Sequence, residues 1–259
     1  MPQSKFLRTW CPTAGTNANR KTCCQMRGAR ALLLIILASG SVVADDKIPA
    51  NFLHGRESLT NPVDIPGDMP EGMILLRCAA IINSKGAMRH QYCILPAVDQ
   101  KAVNNPRDYE AAAVRATQNI QLTPAIVNGK PQAVAFNFSV VLINFGGQLR
   151  TEIYPNHLWD FGAYGADYIE AQRLARPASR KSFSCPASPW SIWISARVNA
   201  SGRASDAKMI TGNASAICVK NIISQFAKSD FIPAVKDGRN VESTYVEEIW
   251  NGAMDWYHD

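Results

Sequence analysis

Four cysteines are the residues whose type and spacing point most directly to chemistry. They lie downstream of a leader-like segment and are Cys78, Cys93, Cys185 and Cys218. An even count in an exported chain is typical of disulfides, although four cysteines allow three connectivities and four buried thiols are the alternative. The first two stand seven residues before Lys85 and seven after Gly86. A hairpin that turns there places them opposite each other, within disulfide reach. We therefore expect Cys78–Cys93, which leaves Cys185–Cys218.

Other reactive side chains show no catalytic pattern. The four histidines, His54, His90, His157 and His258, do not belong to a His-Glu-x-x-His motif of the metalloprotease kind or to a comparable motif. The serines near Cys185 lack a Gly-x-Ser-x-Gly elbow. Glu247 and Glu248 are neighbours on an expected strand, so they point to opposite faces and make a poor acid pair. We expect no catalytic residue, no bound metal, no cofactor and no enzymatic activity.

The first 44 residues have the composition of a secretory signal. Residues 1–30 contain six basic side chains and no acid, and an apolar run over 31–38 follows. Val42 and Ala44 then place small residues at −3 and −1 of a cut before Asp45. The apolar run is short for a membrane span, which needs about 20 residues. We expect cleavage after Ala44 and a periplasmic or secreted chain that does not span a membrane unless the signal stays uncut.

The net charge of +6 belongs to this leader. Six of the 27 basic residues precede residue 45, and all 21 acidic residues lie from Asp45 onward, so 21 of each sign cancel there. A nucleic-acid-binding domain needs a basic surface on its folded part. We therefore expect no nucleic acid among the partners.

Two phrases recur along the chain. Pro124, Ala125 and Gly129 have the same spacing as Pro233, Ala234 and Gly238, and an apolar residue precedes each phrase. Upstream, an Asn-x-x-Gly turn ends at Gly86 in the first case and at Gly202 in the second. The proline, alanine and glycine positions are read as structural, with glycine in the positive-φ place of a turn. Internal similarity of this kind predicts a repeated unit.

Each phrase lies between a hairpin-like pattern and a last strand, with a helical segment before it. Alternating apolar residues and turn glycines predict strand, turn, strand, helix, turn, strand. The fold class expected is α+β, with two copies of a small antiparallel sheet packed on one helix (β-β-α-β). The expected divisions are signal peptide 1–44, linker 45–70, first module 71–145, Pro- and aromatic-rich connector 146–189 with a short helix over 167–176, and second module 190–259.

This order of strand, Asn-x-x-Gly, strand, helix, Pro-Ala phrase and strand resembles the C-terminal domain of TonB, the periplasmic end of an energy transducer for outer-membrane receptors. The second copy, with Thr211-Gly212 where that family usually has Ser-Gly, is the closer match. The resemblance implies a protein or peptide partner, such as a segment of an outer-membrane receptor. An extended partner could add along a sheet edge. The candidate strands are 134–143 and 241–249, and the candidate edge residues are Val241, Ser243, Tyr245, Val246 and Ile249.

Two alternatives stay open at this point. If the signal is retained as an anchor, the chain would resemble a TonB-like transducer for outer-membrane transport. If Trp159, Tyr164 and Tyr168 of the connector line a cleft near a perturbed His157, the protein would be an exported enzyme or small-ligand binder. Aromatic side chains in an ordered segment usually bury their area, so packing of the connector on a sheet is the simpler interpretation.

Overall fold

A computed structural model of the chain describes residues 46–53, 58–59, 65–96, 103–175, 185 and 189–250. The expected leader over 1–44, its cleavage site and the last nine residues lie outside these ranges. All described residues belong to one unit, Val43–Asp259. Within them the elements are, in chain order, β1 (Lys47–Ile48), β2 (Asn51–Phe52), β3 (Ser58–Leu59), β4 (Gly72–Ile82), β5 (Met88–Ile94), α1 (Pro106–Thr117), β6 (Leu122–Thr123), β7 (Ala125–Val127), β8 (Lys130–Gln132), β9 (Val134–Phe145), β10 (Gln148–Tyr154), α2 (Phe161–Tyr164), β11 (Gln172–Leu174), β12 (Ser191–Val198), β13 (Ala204–Gly212), α3 (Ala216–Phe226), β14 (Phe231–Ile232), β15 (Ala234–Lys236), β16 (Arg239–Val241) and β17 (Ser243–Trp250).

The two longer helices begin at residues that suit a helix N-terminus, a proline in α1 and a capping serine before α3. Pro106 occupies the first turn of α1, where its missing N–H costs no helical hydrogen bond. The Asn105 side chain donates to Asp108 Oδ2 at 2.8 Å instead of capping the backbone. At α3 the Ser215 hydroxyl oxygen accepts from the Cys218 amide, which satisfies one of the free N–H groups of the first turn.

Strand β9 is the centre of a seven-stranded sheet. It pairs antiparallel with β4 from Gly72↔Asn144 to Ile82↔Val134, with β10 over 139–145, and with β11 over 134–135. Because every residue from 134 to 143 is buried, both faces of this strand are covered. The β14 strand, from much later in the chain, pairs with β11 and so joins the same sheet.

A second sheet has the order β13-β12-β17, and three smaller sheets complete the described part. Two apolar clusters fill the interior. The first packs β4, β9 and Phe52 against α1, including Tyr109 and Ala113. The second packs β12 and Tyr245 of β17 against Cys218, Ile222 and Phe226 of α3. The last three residues form the apolar stripe that the sequence of α3 predicts.

The expected α+β fold with two β-β-α-β copies is wrong. The protein is mostly β, with 49% strand, 15% helix, five sheets and three short helices among the described residues. The connector is the physical reason, because Gln148–Tyr154 and Gln172–Leu174 form strands that enlarge the first sheet. The short helix expected over 167–176 is absent from its described part, 167–175, and a single helical turn occurs at Phe161–Tyr164 instead.

Candidate functional site

Both expected disulfides are present. Cys78 and Cys93 bond directly across the ladder of β4 and β5, where they are register partners. Cys185 bonds to Cys218 and so ties the connector to the first turn of α3. Both pairs reach buried core positions, since Cys78, Cys93 and Cys218 are at most 5% exposed. These cysteines therefore stabilise the fold and offer no free thiol for nucleophilic chemistry.

The recurring turn residues have structural positions. Gly86 and Gly202 have φ of 80° and 78°, and a Cβ at either would meet a carbonyl oxygen, that of Leu122 at 2.5 Å or of Phe231 at 2.2 Å. Gly129 and Gly238 are the second residues of two-residue turns, each after a residue with φ near 50°. Positive φ at both central positions is the geometry that a tight hairpin requires.

The Pro-Ala pairs lie between short strands. Pro124 separates β6 from β7, and Pro233 separates β14 from β15. Ala125 and Ala234 follow them and are fully buried, so no larger side chain would fit without displacing the core. In this position the proline redirects the chain between two strands and the alanine packs in the core, so the Pro-Ala pairs have a structural role rather than a ligand-binding one.

The residues chosen as a partner-binding edge lie on β16 and β17. Val241 ends β16, while Ser243, Tyr245, Val246 and Ile249 belong to β17. The first three of the β17 residues are at most 1% exposed. The other candidate strand, 134–143, is the central β9 and has neighbours on both sides.

Polar side chains occupy much of the outer edge of β17. The Thr244 amide donates to Asp160 Oδ2 at 2.6 Å, and Asn137 Nδ2 donates to the Val246 carbonyl at 2.8 Å. The Tyr164 hydroxyl donates to the Glu242 carbonyl at 2.7 Å. A guest strand would have to displace these bonds, so residues 242–246 leave little edge for it.

A buried polar cluster lies beneath these contacts. Glu170 accepts from Asn137 Nδ2 at 3.0 Å and from the His157 amide at 2.7 Å, and it is 1% exposed. Burial raises the pKa of Glu170 to about 8 and lowers that of His157 to about 4. His157 Nε2 donates to the Cys78 carbonyl at 2.8 Å. Perturbed acid–base groups often mark active sites, but these are enclosed and hydrogen-bonded to backbone, which favours a packing role.

The connector aromatics are largely engaged in packing. Tyr168 is 1% exposed, and Trp159 lies 3.7 Å from the Arg77 guanidinium in a cation–π contact. Tyr164 contacts the ring of Tyr168 at 5.5 Å between centroids. Aromatic side chains held in this way count against a ligand cleft lined by these three residues.

The open edge of the second sheet is β13. It ends the order β13-β12-β17, so its outer backbone groups have no strand beside them in the part of the chain that the structure describes. Most of its residues are exposed, including Met209 at 39% and Ile210 at 51%. Exposed edges with apolar residues are templates for pairing with another strand.

An apolar groove runs between this edge and α3. Its volume is about 690 Å³, and its lining residues are Met209, Ala214, Ala216, Val219, Lys220, Ile223 and Ser224. Lys220 is one of the lining residues and gives the groove positive charge. A sheet edge beside a helix can hold an extended peptide, with the strand supplying backbone bonds and the groove supplying side-chain contacts.

Sequence reasoning missed this groove. Cys218, Ile222 and Phe226 form the buried stripe of α3, whereas Val219 and Ile223 form a second, half-buried stripe beside it. The adjacent apolar pair at Met209 and Ile210 on a strand that is otherwise polar was the other available signal. Together they could have indicated an apolar surface outside the core.

Metal-ligand clusters and membrane-spanning helices are both absent from the described ranges. No group of three or more His, Cys, Asp or Glu side chains there could hold a metal ion. No described helix has the length and hydropathy needed to cross a membrane.

Comparisons with known proteins returned no match. No family model fits the chain, no curated protein matches its sequence, and no solved structure matches its fold. The resemblance to the TonB C-terminal domain therefore stays a prediction.

Proposed function

We propose that this protein acts outside the cytoplasm as a binding module for an extended peptide segment of a partner protein, held between β13 and α3. The observation that carries the proposal is the open edge of β13 beside an apolar groove of about 690 Å³. The leader-like first 44 residues and the two disulfides support a periplasmic or secreted location, because disulfides persist in oxidising compartments. An outer-membrane receptor segment, the partner that the family resemblance implies, is one such peptide.

The groove defines the chemistry of its occupant. Met209, Val219 and Ile223 favour an apolar side chain, whose burial contributes about 1.5–3 kcal/mol when complete. Lys220, which lines the groove, favours an acidic residue next to it. Two irregularities interrupt the ladder of β13 with β12, near Trp193/Ile194 and Ser195/Arg197. Since bulges shorten the regular edge, the guest strand is short and the apolar anchor supplies most of the affinity.

The test is selection of displayed heptapeptides on the purified protein with its disulfides intact. We expect enrichment of sequences that combine an apolar anchor with an acidic residue. In titrations, Ile223→Lys should weaken the selected peptide at least tenfold because it places a charge in the groove. Ile217→Lys is the matched control, since Ile217 lies on the same helix, is 70% exposed and is outside the lining. Equal affinity of both variants, or no enrichment, would overturn the proposal.

A further inference from the structure

A second cavity lies on a different part of the protein from the β13–α3 groove. It has a volume of about 480 Å³, within the usual range of small-ligand sites. Its lining residues are Tyr92, Pro189, Trp190, Ser191, Asn213, Glu248 and Trp250. Three of these are aromatic, and one is a carboxylate.

Strand pairing fixes this lining in place. Ser191 of β12 and Trp250 of β17 are register partners. Glu248 precedes Trp250 by two residues on β17, so both side chains lie on the same face of the strand. Asn213 closes the rim, because Ser191 N–H donates to its Oδ1 at 2.8 Å and its own N–H donates to the Ser191 carbonyl at 3.0 Å. Tyr92 approaches from β5. Tyr92, Glu248 and Trp250 therefore stand on sheet strands, which hold them more rigidly than a loop would, and Trp190 directly precedes β12.

One polar group of the lining has no partner. Trp190 is 4% exposed, and its indole Nε1–H has no hydrogen-bond acceptor among the described residues. A buried donor without an acceptor destabilises the folded protein. The Nε1 atom has almost no accessible surface, so a ligand oxygen can accept from it only if the indole ring or a neighbouring side chain shifts.

The remaining chemistry narrows the ligand class. The described lining carries the Glu248 carboxylate and no basic side chain, which disfavours phosphate and other anions. Burial raises the pKa of Glu248, opposed by a hydrogen bond from the Ser191 side chain. An organic cation would suit the carboxylate and the rings but leaves the Trp190 N–H without an acceptor. A hydroxyl group satisfies both, because it donates to the carboxylate and accepts from the indole.

We propose that the cavity between Tyr92, Trp190 and Trp250 binds a neutral saccharide. The aromatic faces pack against the C–H face of a sugar ring, Glu248 accepts from one hydroxyl, and Trp190 donates to another. This site is separate from the peptide groove, and its existence does not depend on the proposed function of that groove.

The test is titration of intrinsic tryptophan fluorescence and saturation-transfer NMR with maltotriose, cellotriose and chitotriose. We expect saturable binding of at least one trisaccharide, and no competition by tetramethylammonium or inorganic phosphate. Trp250→Ala should weaken binding about tenfold through loss of ring stacking. Trp250→Phe should keep most of the affinity, which separates loss of contact from loss of fold.

Trp159→Ala is the matched control, because Trp159 is exposed to 39% and stacks on Arg77 away from the lining. It should bind like the wild type. The proposal is overturned if none of the trisaccharides binds saturably, if tetramethylammonium binds in their place, or if Trp159→Ala loses as much affinity as Trp250→Ala.

Discussion

The backbone amide of His157 donates a 2.7 Å hydrogen bond to Oε2 of Glu170, and both residues are buried where the connector crosses β9. Asn137 of β9 donates to the other carboxylate oxygen and, through the same Nδ2 atom, to the Val246 carbonyl of β17. The buried Glu170 carboxyl group thus links the connector to β9, and the Asn137 amide links β9 to β17. Stability should therefore respond to the protonation of this cluster.

Glu170 makes stability fall as pH rises. Its pKa is raised from 4.5 to about 8, so the folded state holds a proton that the unfolded state releases above pH 4.5. His157, with its pKa lowered from 6.5 to about 4, acts in the opposite direction, because its contribution is lost as pH falls from 6.5 towards 4. The two effects oppose each other between pH 4.5 and 6.5, and Glu170 acts alone from 6.5 to 8.

We expect the free energy of unfolding to drop by about 2 kcal/mol between pH 6.5 and 8, at about 1.4 kcal/mol per unit of pKa difference. Urea unfolding at the two pH values measures this difference. Glu170→Gln, which does not titrate, should abolish most of the drop. An unchanged drop in that variant would assign the pH dependence to other groups.

The ion pair between Arg173 and Glu247 is bidentate and mostly buried, with the two side chains 13% and 8% exposed. Arg173 Nε and Nη2 donate to the two carboxylate oxygens at 2.7 and 2.5 Å, and the Tyr245 hydroxyl also donates to Glu247. Removing one partner leaves a buried charge, so Arg173→Met should cost about 3–5 kcal/mol in chemical denaturation. Arg150→Met, which removes a partner of Glu152 that is 56% exposed, should cost less than about 1 kcal/mol. Similar losses in both variants would contradict this assignment.

Alanine substitutions at Gly202 and Gly238 test how closely the Phe231 carbonyl oxygen approaches the backbone at Gly202. Alanine at either Gly202 or Gly238 meets an unfavourable positive φ, which costs about 1–2 kcal/mol. At Gly202 the new Cβ would also stand 2.2 Å from the Phe231 carbonyl oxygen, whereas nothing lies within 4 Å at Gly238. Thermal unfolding should therefore show a larger loss for Gly202→Ala than for Gly238→Ala, by about 1–3 kcal/mol. Equal losses would mean that the close contact relaxes without cost.

The two disulfides should contribute slightly different amounts to the free energy of unfolding. The Cys185–Cys218 pair closes a separation of 33 residues and Cys78–Cys93 one of 15. On the chain-entropy model each stabilises by about 3 kcal/mol, the longer loop by about 0.7 kcal/mol more. Paired Cys→Ala variants, compared by urea unfolding, measure both values. No change in stability after removal of either pair would contradict this role.

Local features of the fold followed from the sequence more readily than its assembly. Cys78 and Cys93 could be paired because their distance from one turn fixes their register. The turns at Gly129 and Gly238 could be placed because few residues other than glycine tolerate positive φ at no cost. Each of these inferences uses residues close together in the chain.

The sheet could not be assembled in the same way. Residues 148–154 and 172–174 pair with β9 through backbone hydrogen bonds that carry no sequence signature. The sequence therefore does not predict that the connector contributes strands to the sheet. The sequence alone predicts an open outer edge for β17, because it does not show which distant residues cover that edge. Asp160 is 84 residues from its partner Thr244, and Asn137 is 109 residues from its partner Val246. The open edge proved to be β13, whose exposure depends equally on long-range packing.

Hydrogen–deuterium exchange of the protein with and without a selected heptapeptide tests the central claim most directly, because it reports which edge gains backbone hydrogen bonds. We predict new protection in β13, Ala204–Gly212, with little change in β17, Ser243–Trp250. Protection confined to β17, or bound peptide that protects neither strand, would contradict peptide binding between β13 and α3.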